Sequence, residues 1–253
     1  MTETRPTIMV TGASTGIGHA ISRQLLARGY RVIGLGRNIK SSGISDPLFV
    51  PQTIDMARID EMMDTLRQLS AYAAEIDGLI CCAGRGRFGS LEEFSCRQIR
   101  ELMDLNFTSH ACLVRELLPA MKKPHSKQRH IIFIGSEAAL QGGRKGAIYS
   151  ASKFALRGFA QSLREECAHN HIGVSIINPG MVRTGFFDEL SFRPGPESDQ
   201  AIDADDVAAA VCMILETRAG TVIDEINLSP LKKVIEFDSR SQKGKANNDD
   251  ESA

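Results

Sequence analysis

Two side chains that could move a proton together lie four residues apart in "AIYSASKFA", residues 147 to 155. On an α-helix this spacing places the Tyr149 phenol and the Lys153 ammonium on one face. A phenol with an ordinary pKa near 10 exchanges its proton at neutral pH only if its anion is stabilised. An ammonium about 4 Å away supplies roughly 4 kcal/mol at an effective dielectric of 20, enough to lower the phenol pKa to about 7. We expect Lys153 alone to suffice; the alternative is a chance pair.

A hydroxyl that could assist this pair belongs to Ser136, which ends the apolar run "HIIFIGS". In a parallel α/β sheet, residues at the carboxyl ends of strands face the ligand crevice. We therefore expect the Ser136 hydroxyl to hydrogen-bond a substrate oxygen. The alternative is that Ser136 only caps the turn that follows.

A glycine-rich turn, "VTGASTGIGHA", follows the first predicted strand and opens the first predicted helix. Gly12 permits a tight turn, Gly16 lets backbone amides approach a diphosphate, and Gly18 lets the helix lie close to the strand. The free amides and the dipole of the helix N-terminus then attract the anion. The turn predicts a dinucleotide site, although glycines also mark ordinary loops.

The end of the second predicted strand bears on the choice between NAD and NADP. An acidic residue about 20 positions beyond the glycines would bind ribose hydroxyls and repel a 2'-phosphate. The segment "GLGRN" instead places Arg37 there, without a nearby acid. This favours NADP(H) as cofactor; the alternative is that Arg37 is a solvated surface residue.

Composition limits the class of protein. The chain has 253 residues, 42% of them hydrophobic, which suits one large domain. The net charge is −1 and the basic residues are scattered, so neither a nucleic acid nor an anionic membrane is the expected partner. A small-molecule substrate is expected. The sequence shows no membrane span and no signal peptide, which predicts a cytoplasmic protein.

The six cysteines lack the CxxC spacing of metal and redox sites and lie mostly in apolar segments. We expect them to fill the core, with metal or disulfide chemistry as the alternative, and we predict no metal site. They are Cys81, Cys82, Cys96, Cys112, Cys167 and Cys212.

Short β-branched runs alternate with longer segments of helical period over residues 7–237. This rhythm predicts an α/β fold: a single domain with a doubly wound (Rossmann) seven-stranded parallel sheet and helices on both faces. Residues 181–202, rich in Phe, Gly and Pro, are expected to form a substrate lid. Residues 1–6 are expected to be flexible and the polar residues 238–253 disordered.

The segments "TGASTGIG", "IGS", "YSASK" and "NPGMVRT" occur in this order. Together they resemble the short-chain dehydrogenase/reductase family in its form of roughly 250 residues, from about Thr7 to Pro230. The resemblance implies that Tyr149 donates or accepts the proton. It implies that Lys153 modifies the phenol pKa and binds the nicotinamide ribose, and that Ser136 orients the substrate carbonyl.

The resemblance extends to further positions. Asn106 in "MDLNFTS" would hold a water that links the lysine to a proton relay, unless it faces solvent. Asp55 would bind the adenine amino group, and the stretch ending at Thr184 would hold the nicotinamide carboxamide; both residues could instead serve turns or caps. The implied cofactor-binding set comprises Gly12, Ser14, Thr15, Gly16, Ile17, Gly18, Arg37, Asp55, Ala83, Gly84, Tyr149, Lys153, Pro179, Gly180, Val182 and Thr184.

One departure from the family pattern concerns the fourth predicted strand. Two asparagines usually precede Ala-Gly there, whereas this chain has Cys81 and Cys82 before Ala83 and Gly84. Thiols cannot supply the donors and acceptors of an amide side chain. We expect altered cofactor affinity or stability, with the chemistry retained.

These residues predict an NADP(H)-dependent oxidoreductase that transfers hydride between nicotinamide and a secondary alcohol or ketone. A non-catalytic NADP(H)-binding sensor or interaction protein is the alternative, because fold alone does not establish turnover. The ending "DEINLSPL" resembles those of family members acting on small hydroxy acids. Phe186, Phe187 and Phe192 favour an apolar portion of the substrate. A carboxylate could meet one of four arginines, unless these lie on the surface or touch the cofactor phosphates: Arg85, Arg87, Arg144 and Arg183.

The resemblance also implies an assembly of identical subunits. Family members usually pair through the helix that bears the Tyr and Lys and the helix before it, here roughly residues 149–168 and 109–122. Apolar Leu156, Phe159 and Leu163 could serve that face or the core of one subunit. A homodimer or homotetramer is expected.

Overall fold

A computed structural model describes residues 5–73, 75–125 and 127–237 of the chain. Its helices are α1 (Gly16–Ala27), α2 (Ile59–Ala73), α3 (Cys96–Met103), α4 (Ser109–Met121), α5 (Ala147–Cys167) and α6 (Ala204–Glu216). Its strands are β1 (Thr7–Thr11), β2 (Arg31–Gly36), β3 (Phe49–Thr53), β4 (Ile76–Cys81), β5 (Arg129–Ile134), β6 (Ile172–Pro179), β7 (Val182–Arg183), β8 (Phe192–Pro194), β9 (Ile202–Asp203), β10 (Glu225–Leu228) and β11 (Ile235–Phe237).

Seven of these strands form one parallel sheet in the order β10-β6-β5-β4-β1-β2-β3. The sheet order reverses beside β1. β2 and β3 follow it on one side, and the chain then crosses back to place β4 on the other side. In doubly wound sheets the crevice for a ligand opens at this point, beyond the carboxyl ends of the strands. The predicted seven-stranded Rossmann fold is confirmed.

Both faces of the sheet are covered, which explains why its strands are apolar along most of their length. Alternate residues face opposite layers: Ile132 belongs to the layer with α1 and α6, and Phe133 to the layer with α2, α4 and α5. Within the first layer α1 packs directly against α6. The helix that follows the glycine turn is therefore held in place by α6, which lies almost two hundred residues later in the chain.

Two small pairs of strands lie outside the main sheet. β7 pairs in parallel with β9, and β8 pairs antiparallel with β11. Residues 181–202, expected to form a lid, therefore contain short strands and single helical turns, and β11 borders them. The expected disordered tail, residues 238–253, and most of the expected flexible N-terminus lie outside the described residues.

The cysteines are all free thiols, and three of them, Cys81, Cys167 and Cys212, are buried as the core interpretation expected. Cys96 is the exception, because it is exposed at the start of α3. Among residues 5–73, 75–125 and 127–237, no cluster of side chains could hold a metal ion. None of the helices in these ranges is long and apolar enough to cross a membrane.

Candidate active site

The glycine turn has the geometry that its sequence predicted. Gly12 and Gly16 adopt φ of 69° and 56°, in the left-handed region that favours glycine. A Cβ on Gly18 would lie 2.3 Å from the carbonyl oxygen of Gly12, so α1 approaches β1 as only glycine permits. Thr15 precedes α1 but its side chain does not cap the helix. The first amides of α1 therefore face the crevice, where they can bind an anion.

A buried threonine braces the turn against β4. The hydroxyl of Thr11 accepts hydrogen bonds from the backbone amides of Cys82 at 2.8 Å and Ala83 at 3.0 Å, and it donates to the carbonyl of Ile80 at 3.4 Å. A Cβ on Gly12 would lie 3.0 Å from the Cα of Ala83. Thr11 thus braces β1 against the end of β4 without the amide side chains of the two usual asparagines. The sequence argument did not single out Thr11, although the residue belongs to the glycine-rich motif.

The two cysteines that replace the asparagines are unreactive in this setting. Burial raises the pKa of the Cys81 thiol, and it raises the pKa of the Cys82 thiol to about 12. The nearby Lys153 ammonium opposes the shift at Cys82 only in part. Both side chains therefore remain neutral thiols at neutral pH.

Asn106 lies in a π-helical turn, Asp104–Thr108, that joins α3 to α4. Such turns are frequent at functional sites because they redirect single side chains. The Asn106 amide is fully buried; it accepts from the amide of Arg85 at 3.0 Å, and it donates to the carbonyl of Arg85 at 3.0 Å and to the Ser152 hydroxyl at 3.1 Å. The alternative of a solvent-facing Asn106 is wrong.

Because Gly84 has no side chain, Asn106 and Lys153 can both lie close to its backbone. A Cβ on Gly84 would lie 3.2 Å from Oδ1 of Asn106 and 3.8 Å from Nζ of Lys153. The Lys153 side chain is buried and donates to the carbonyl of Ile134, at the end of β5, at 3.1 Å. Burial lowers the pKa of this ammonium to about 8, so it stays largely protonated at neutral pH.

The pKa of the Tyr149 phenol differs from the value that the sequence argument expected. Its phenol is buried, and burial raises its pKa to about 12; a hydrogen bond with Ser136 lowers the pKa, and the charge of Glu137 raises it. Lys153 lies on the same side of α5, with Nζ 5.9 Å from the centre of the Tyr149 ring. The expectation that Lys153 alone brings this pKa to about 7 is wrong, because loss of hydration is the largest influence on the phenol and raises its pKa.

Ser136 caps a turn, as the alternative for this residue held, and its hydrogen bond to a substrate oxygen stays a prediction. Its hydroxyl accepts from the backbone amide of Ala138 at 3.2 Å and so caps the turn that follows β5. The same side chain hydrogen-bonds the Tyr149 phenol. The serine and tyrosine hydroxyls are therefore adjacent, as they must be to contact one substrate oxygen.

His110 is a member of the site that the sequence argument missed. It is buried on α4, and its Nε2 lies 2.7 Å from the carbonyl oxygen of Ala83. Burial lowers the pKa of His110 to about 4, and the neighbouring Lys153 ammonium contributes to the decrease, so the ring is neutral and Nε2 donates. Ala83 is thus held at its carbonyl by His110 and at its amide by Thr11. In the sequence, only the spacing of four residues between Asn106 and His110 indicates that the histidine could lie near the site.

Aromatic rings enclose Tyr149 on its open side. Phe88, from the loop after β4, packs 5.0 Å from the Tyr149 ring, and Phe186 from the expected lid packs 6.1 Å away, between centroids. Further contacts link Phe88 to Phe192 at 5.0 Å and Phe192 to Phe237 at 6.3 Å. The lid rings lie where the sequence placed them, whereas Phe88 and Phe237 were not anticipated.

The predicted cofactor residues Pro179 to Thr184 follow the end of β6, and Thr184 reaches the glycine turn. Thr184 accepts from the amide of Phe186 at 3.3 Å, and its Cβ lies 3.5 Å from the position of a Cβ on Gly16. Thr184 is therefore a turn residue that also contacts the glycine turn. Pro179 ends β6, Gly180 donates to the carbonyl of Leu228 at 2.8 Å, and the buried Val182 forms β7.

Arg37 and Asp55 lie beyond the ends of β2 and β3. Arg37 is exposed, and within the described ranges it makes no hydrogen bond or ion pair. Asp55 accepts from the amide of Ala57 at 3.0 Å and pairs with Arg58 at 3.9 Å, which are the contacts of a turn residue. Its expected contact with adenine stays a prediction.

Two of the four arginines considered for a substrate carboxylate are already paired. Arg183 donates to the carbonyls of Gly195 at 3.2 Å and Glu197 at 2.9 Å. Arg85 pairs with Glu101 at 3.3 Å. Arg87 and Arg144 make no such contact within the described ranges.

The family model for short chain dehydrogenases matches residues 6–193, which include the glycine turn, Asn106, Ser136, Tyr149 and Lys153. This chain belongs to the short-chain dehydrogenase family. The resemblance inferred from the motifs is confirmed, and the family is one of oxidoreductases that bind a nicotinamide cofactor and act on small molecules.

Individual family members show how far the similarity extends. Human retinol dehydrogenase 8 is 33% identical over 192 residues, covering 73% of this chain and 61% of that protein, so the chain spans about three fifths of that relative. Mouse dehydrogenase/reductase SDR family member 11 is 28% identical over 246 residues, covering 89% of this chain and 94% of that protein. An alcohol dehydrogenase from the archaeon Thermococcus sibiricus, solved with 5-hydroxy-NADP, superposes with a TM-score of 0.79 at 20% identity, covering 91% of this chain and 99% of that one. Other solved chains of this fold contain NADP+ or NADH.

The bracing by Thr11 is testable by removing its hydroxyl. Thr11→Val leaves the two partly buried amides of Cys82 and Ala83 without their acceptor, so we expect a loss of about 1–3 kcal/mol in the free energy of unfolding, together with weaker cofactor binding. Thr11→Ser keeps the hydroxyl and is the matched control. Urea denaturation and cofactor titration measure the two effects. Equal stability of the two variants would contradict the bracing role.

The buried neutral His110 predicts a dependence of stability on pH. Because the folded pKa lies below the ordinary 6.5, the unfolded chain takes up the proton first as pH falls, and His110 costs stability progressively below about pH 6.5 until about pH 4. His110→Gln keeps an N–H donor but does not titrate. The advantage of wild type over this variant should be about 2 kcal/mol smaller at pH 5 than at pH 7 in urea denaturation. An advantage that does not change with pH would show that the histidine is not buried as a neutral ring.

Proposed function

We propose that this protein is an NADP(H)-dependent oxidoreductase that transfers hydride between the nicotinamide and a secondary alcohol or ketone. The observation that carries the proposal is the convergence of Ser136, Tyr149, Lys153 and Asn106 beside the glycine turn. A non-catalytic sensor has no chemical use for this set of side chains.

The glycine turn suits a dinucleotide by its chemistry. Gly12 and Gly18 let the turn and α1 pack directly against the backbone of Ala83 and of Gly12 itself, and no side chain caps the amides that begin α1. These amides would hold the diphosphate, and Lys153 would hold the nicotinamide ribose. When bound, the cofactor supplies the hydride chemistry that no amino-acid side chain provides.

The residues around Tyr149 account for the proton in the reaction. In ketone reduction, Ser136 and Tyr149 donate hydrogen bonds to the substrate oxygen, where negative charge builds as hydride arrives. Tyr149 then gives its proton to that oxygen. With a pKa raised to about 12, the phenol retains its proton at neutral pH and is ready to act as a donor. Lys153, held by the carbonyl of Ile134, favours the resulting phenolate by its positive charge.

The preference for NADP(H) rests on Arg37. This arginine follows Gly36, where a Cβ would lie 2.3 Å from the Ser14 hydroxyl of the glycine turn. The backbone of Arg37 therefore begins next to the glycine turn. Within the described ranges its side chain makes no ion pair. A free guanidinium there suits the 2'-phosphate of NADP by a charge-assisted, bidentate hydrogen bond.

The substrate pocket combines apolar rings with two available cations. Phe88 and Phe186 against Tyr149 favour an apolar portion of the substrate next to the reacting carbon. Arg87 and Arg144 flank this region in sequence, and Gly89 donates to the carbonyl of Lys145 at 2.8 Å, which brings their loops together. These loops support a small hydroxy acid or its keto form as substrate.

The proposed assembly is a homodimer or homotetramer formed through α4 and α5. Leu156 and Leu163 are buried within the subunit, and Phe159 packs against Phe133 and Phe107. Those apolar residues therefore belong to the core of one subunit. Phe154, with 43% of its surface exposed on α5, is the apolar side chain that a second subunit would cover.

Replacement of the tyrosine tests the chemistry. Tyr149→Phe removes only the phenolic hydroxyl, so we expect turnover of NADPH with a ketone substrate to fall about 10²- to 10⁴-fold. Cofactor binding, followed by NADPH fluorescence, should be retained. Tyr30→Phe, in a tyrosine outside the site, is the control and should keep the wild-type rate. An unchanged rate in Tyr149→Phe would refute the role of the phenol.

Replacement of Arg37 tests the choice of cofactor. Arg37→Leu removes the proposed partner of the 2'-phosphate, so the KM for NADPH should rise about 10- to 100-fold while the KM for NADH is unchanged. Arg67→Gln, at an exposed arginine on α2, is the control and should change neither value. Equal or faster turnover of NAD(H) by the wild-type protein would refute the preference.

A further inference from the structure

The chain segment 231–237 lies against the substrate side of the site and is here called the clamp. Its strand β11 pairs with β8 in the register Ile235 to Pro194 and Phe237 to Phe192, and the amide of Gly195 donates to the carbonyl of Val234 at 3.1 Å. The clamp therefore fixes the part of the lid whose Phe192 ring packs on Phe88, next to Tyr149.

Two adjacent lysines anchor the clamp to different parts of the site. Lys232 binds Asp199, with Nζ 2.7 Å from the carboxylate and its amide 2.8 Å from the Asp199 carbonyl. Lys233 extends to the other side, where its Nζ lies 2.6 Å from the carboxylate of Glu137. One lysine thus fixes the clamp to the residues that follow the lid strand, and the other to the loop of Ser136.

Glu137 directly follows Ser136, so its negative charge lies close to the hydroxyl that is proposed to bind the substrate oxygen. Its carboxylate lies 3.4 Å from where a Cβ on Gly180 would be, so it faces the end of β6 as well as the serine loop. Its charge raises the pKa of the Tyr149 phenol. Without a cation on it, the carboxylate would oppose negative charge that develops on a substrate oxygen bound between Ser136 and Tyr149.

The other groups near the phenol do not neutralise Glu137. Lys153 lies on the phenol's own helix and is bound to the Ile134 carbonyl. The loop after β4 and the lid each present a ring to Tyr149, Phe88 and Phe186, whose charged sequence neighbours are Arg87 and Asp188. Lys233 is the cation that contacts the Glu137 carboxylate within the described ranges.

We propose that Lys233 is a positioning residue for the reaction: by pairing with Glu137 it holds and neutralises the carboxylate beside Ser136, and so sets the charge around the substrate oxygen and the Tyr149 hydroxyl. The inference rests on the proposed function for its effect on turnover. The electrostatic effect of Lys233 on Tyr149 exists whether or not the protein turns over a ketone.

A double-mutant cycle with Lys233→Met and Glu137→Gln tests the proposal. At neutral pH the phenol is protonated and the charges of Lys233 and Glu137 are both present, so the cycle is measured as kcat at pH 7. Lys233→Met leaves the Glu137 carboxylate to oppose the negative charge that develops on the substrate oxygen, so kcat should fall roughly two- to fivefold. In the Glu137→Gln background the same lysine change should have no further effect, because Lys233 acts through that carboxylate.

The matched control is Lys232→Met, which breaks the neighbouring anchor of the clamp and leaves Glu137 paired. It should raise the KM for substrate and leave kcat at its wild-type value. The KM for NADPH should be unchanged in Lys232→Met, because the ion pair that this change breaks joins the clamp to the lid. A wild-type kcat in Lys233→Met, or an equal loss of kcat in Lys232→Met, would overturn the proposal.

A second measurement separates this inference from the proposed function. Urea denaturation at pH 7 of the same four proteins measures the coupling of Lys233 to Glu137 without any turnover: Lys233→Met should lower the free energy of unfolding in the wild-type background and change it less in the Glu137→Gln background. Tyrosinate absorbance after a rapid jump to alkaline pH, taken as the difference between each protein and its Tyr149→Phe counterpart, should show a lower midpoint in Glu137→Gln than in wild type. If no ketone is reduced but both results are obtained, the proposed function fails while the role of Lys233 stands. If Lys233→Met has the same effect on stability in both backgrounds, the role of Lys233 is refuted.

Discussion

The hydrogen bonds from the amides of Cys82 and Ala83 to the Thr11 hydroxyl are the constraint on which the rest of the site depends. They join the two central strands at the point where the sheet order reverses, and they bring the backbone of β4 against Gly12. From Ala83 the chain leads directly to Gly84, whose missing side chain lets Asn106 and Lys153 approach. A single buried hydroxyl therefore links the cofactor side of the crevice to its catalytic side. In this chain the bracing does not require the asparagines that the family usually has there.

Much of the fold followed from the sequence, because period and turn chemistry act locally. Apolar runs and glycine-marked helix boundaries predicted the seven strands, and the four-residue spacing placed Tyr149 and Lys153 on one face of α5. Residues brought in by distant parts of the chain were not predictable. His110 gains its role only from Ala83 across a loop, and Phe237 only from the pairing of β11 with β8. The strand that borders the lid, Ile235–Phe237, has only three residues, which is too short to give a periodic signal.

The electrostatics of Tyr149 show why spacing alone does not give a pKa. Two opposite charges on one helical face attract more strongly the closer they lie, but the cost of removing a phenolate from water depends on everything else that covers it. Here Phe88 and Phe186 cover the ring, and Lys153 is bound to a backbone carbonyl. Neither feature can be derived from the local sequence. The balance leaves a protonated phenol and a cationic lysine, which is the charge state suited to protonating a substrate oxygen.

The contact between α1 and α6 has a consequence for the way the chain acquires its structure during synthesis. The first helix covers its apolar face with Ile21 and Leu25 against Val207 and Val211, side chains that leave the ribosome almost two hundred residues later. Until then α1 exposes a hydrophobic stripe, although β1, β2, β3 and β4 can already pair with one another. The burial of α1 is therefore completed late in translation, and chaperones that shield apolar helices have access to it until α6 has emerged.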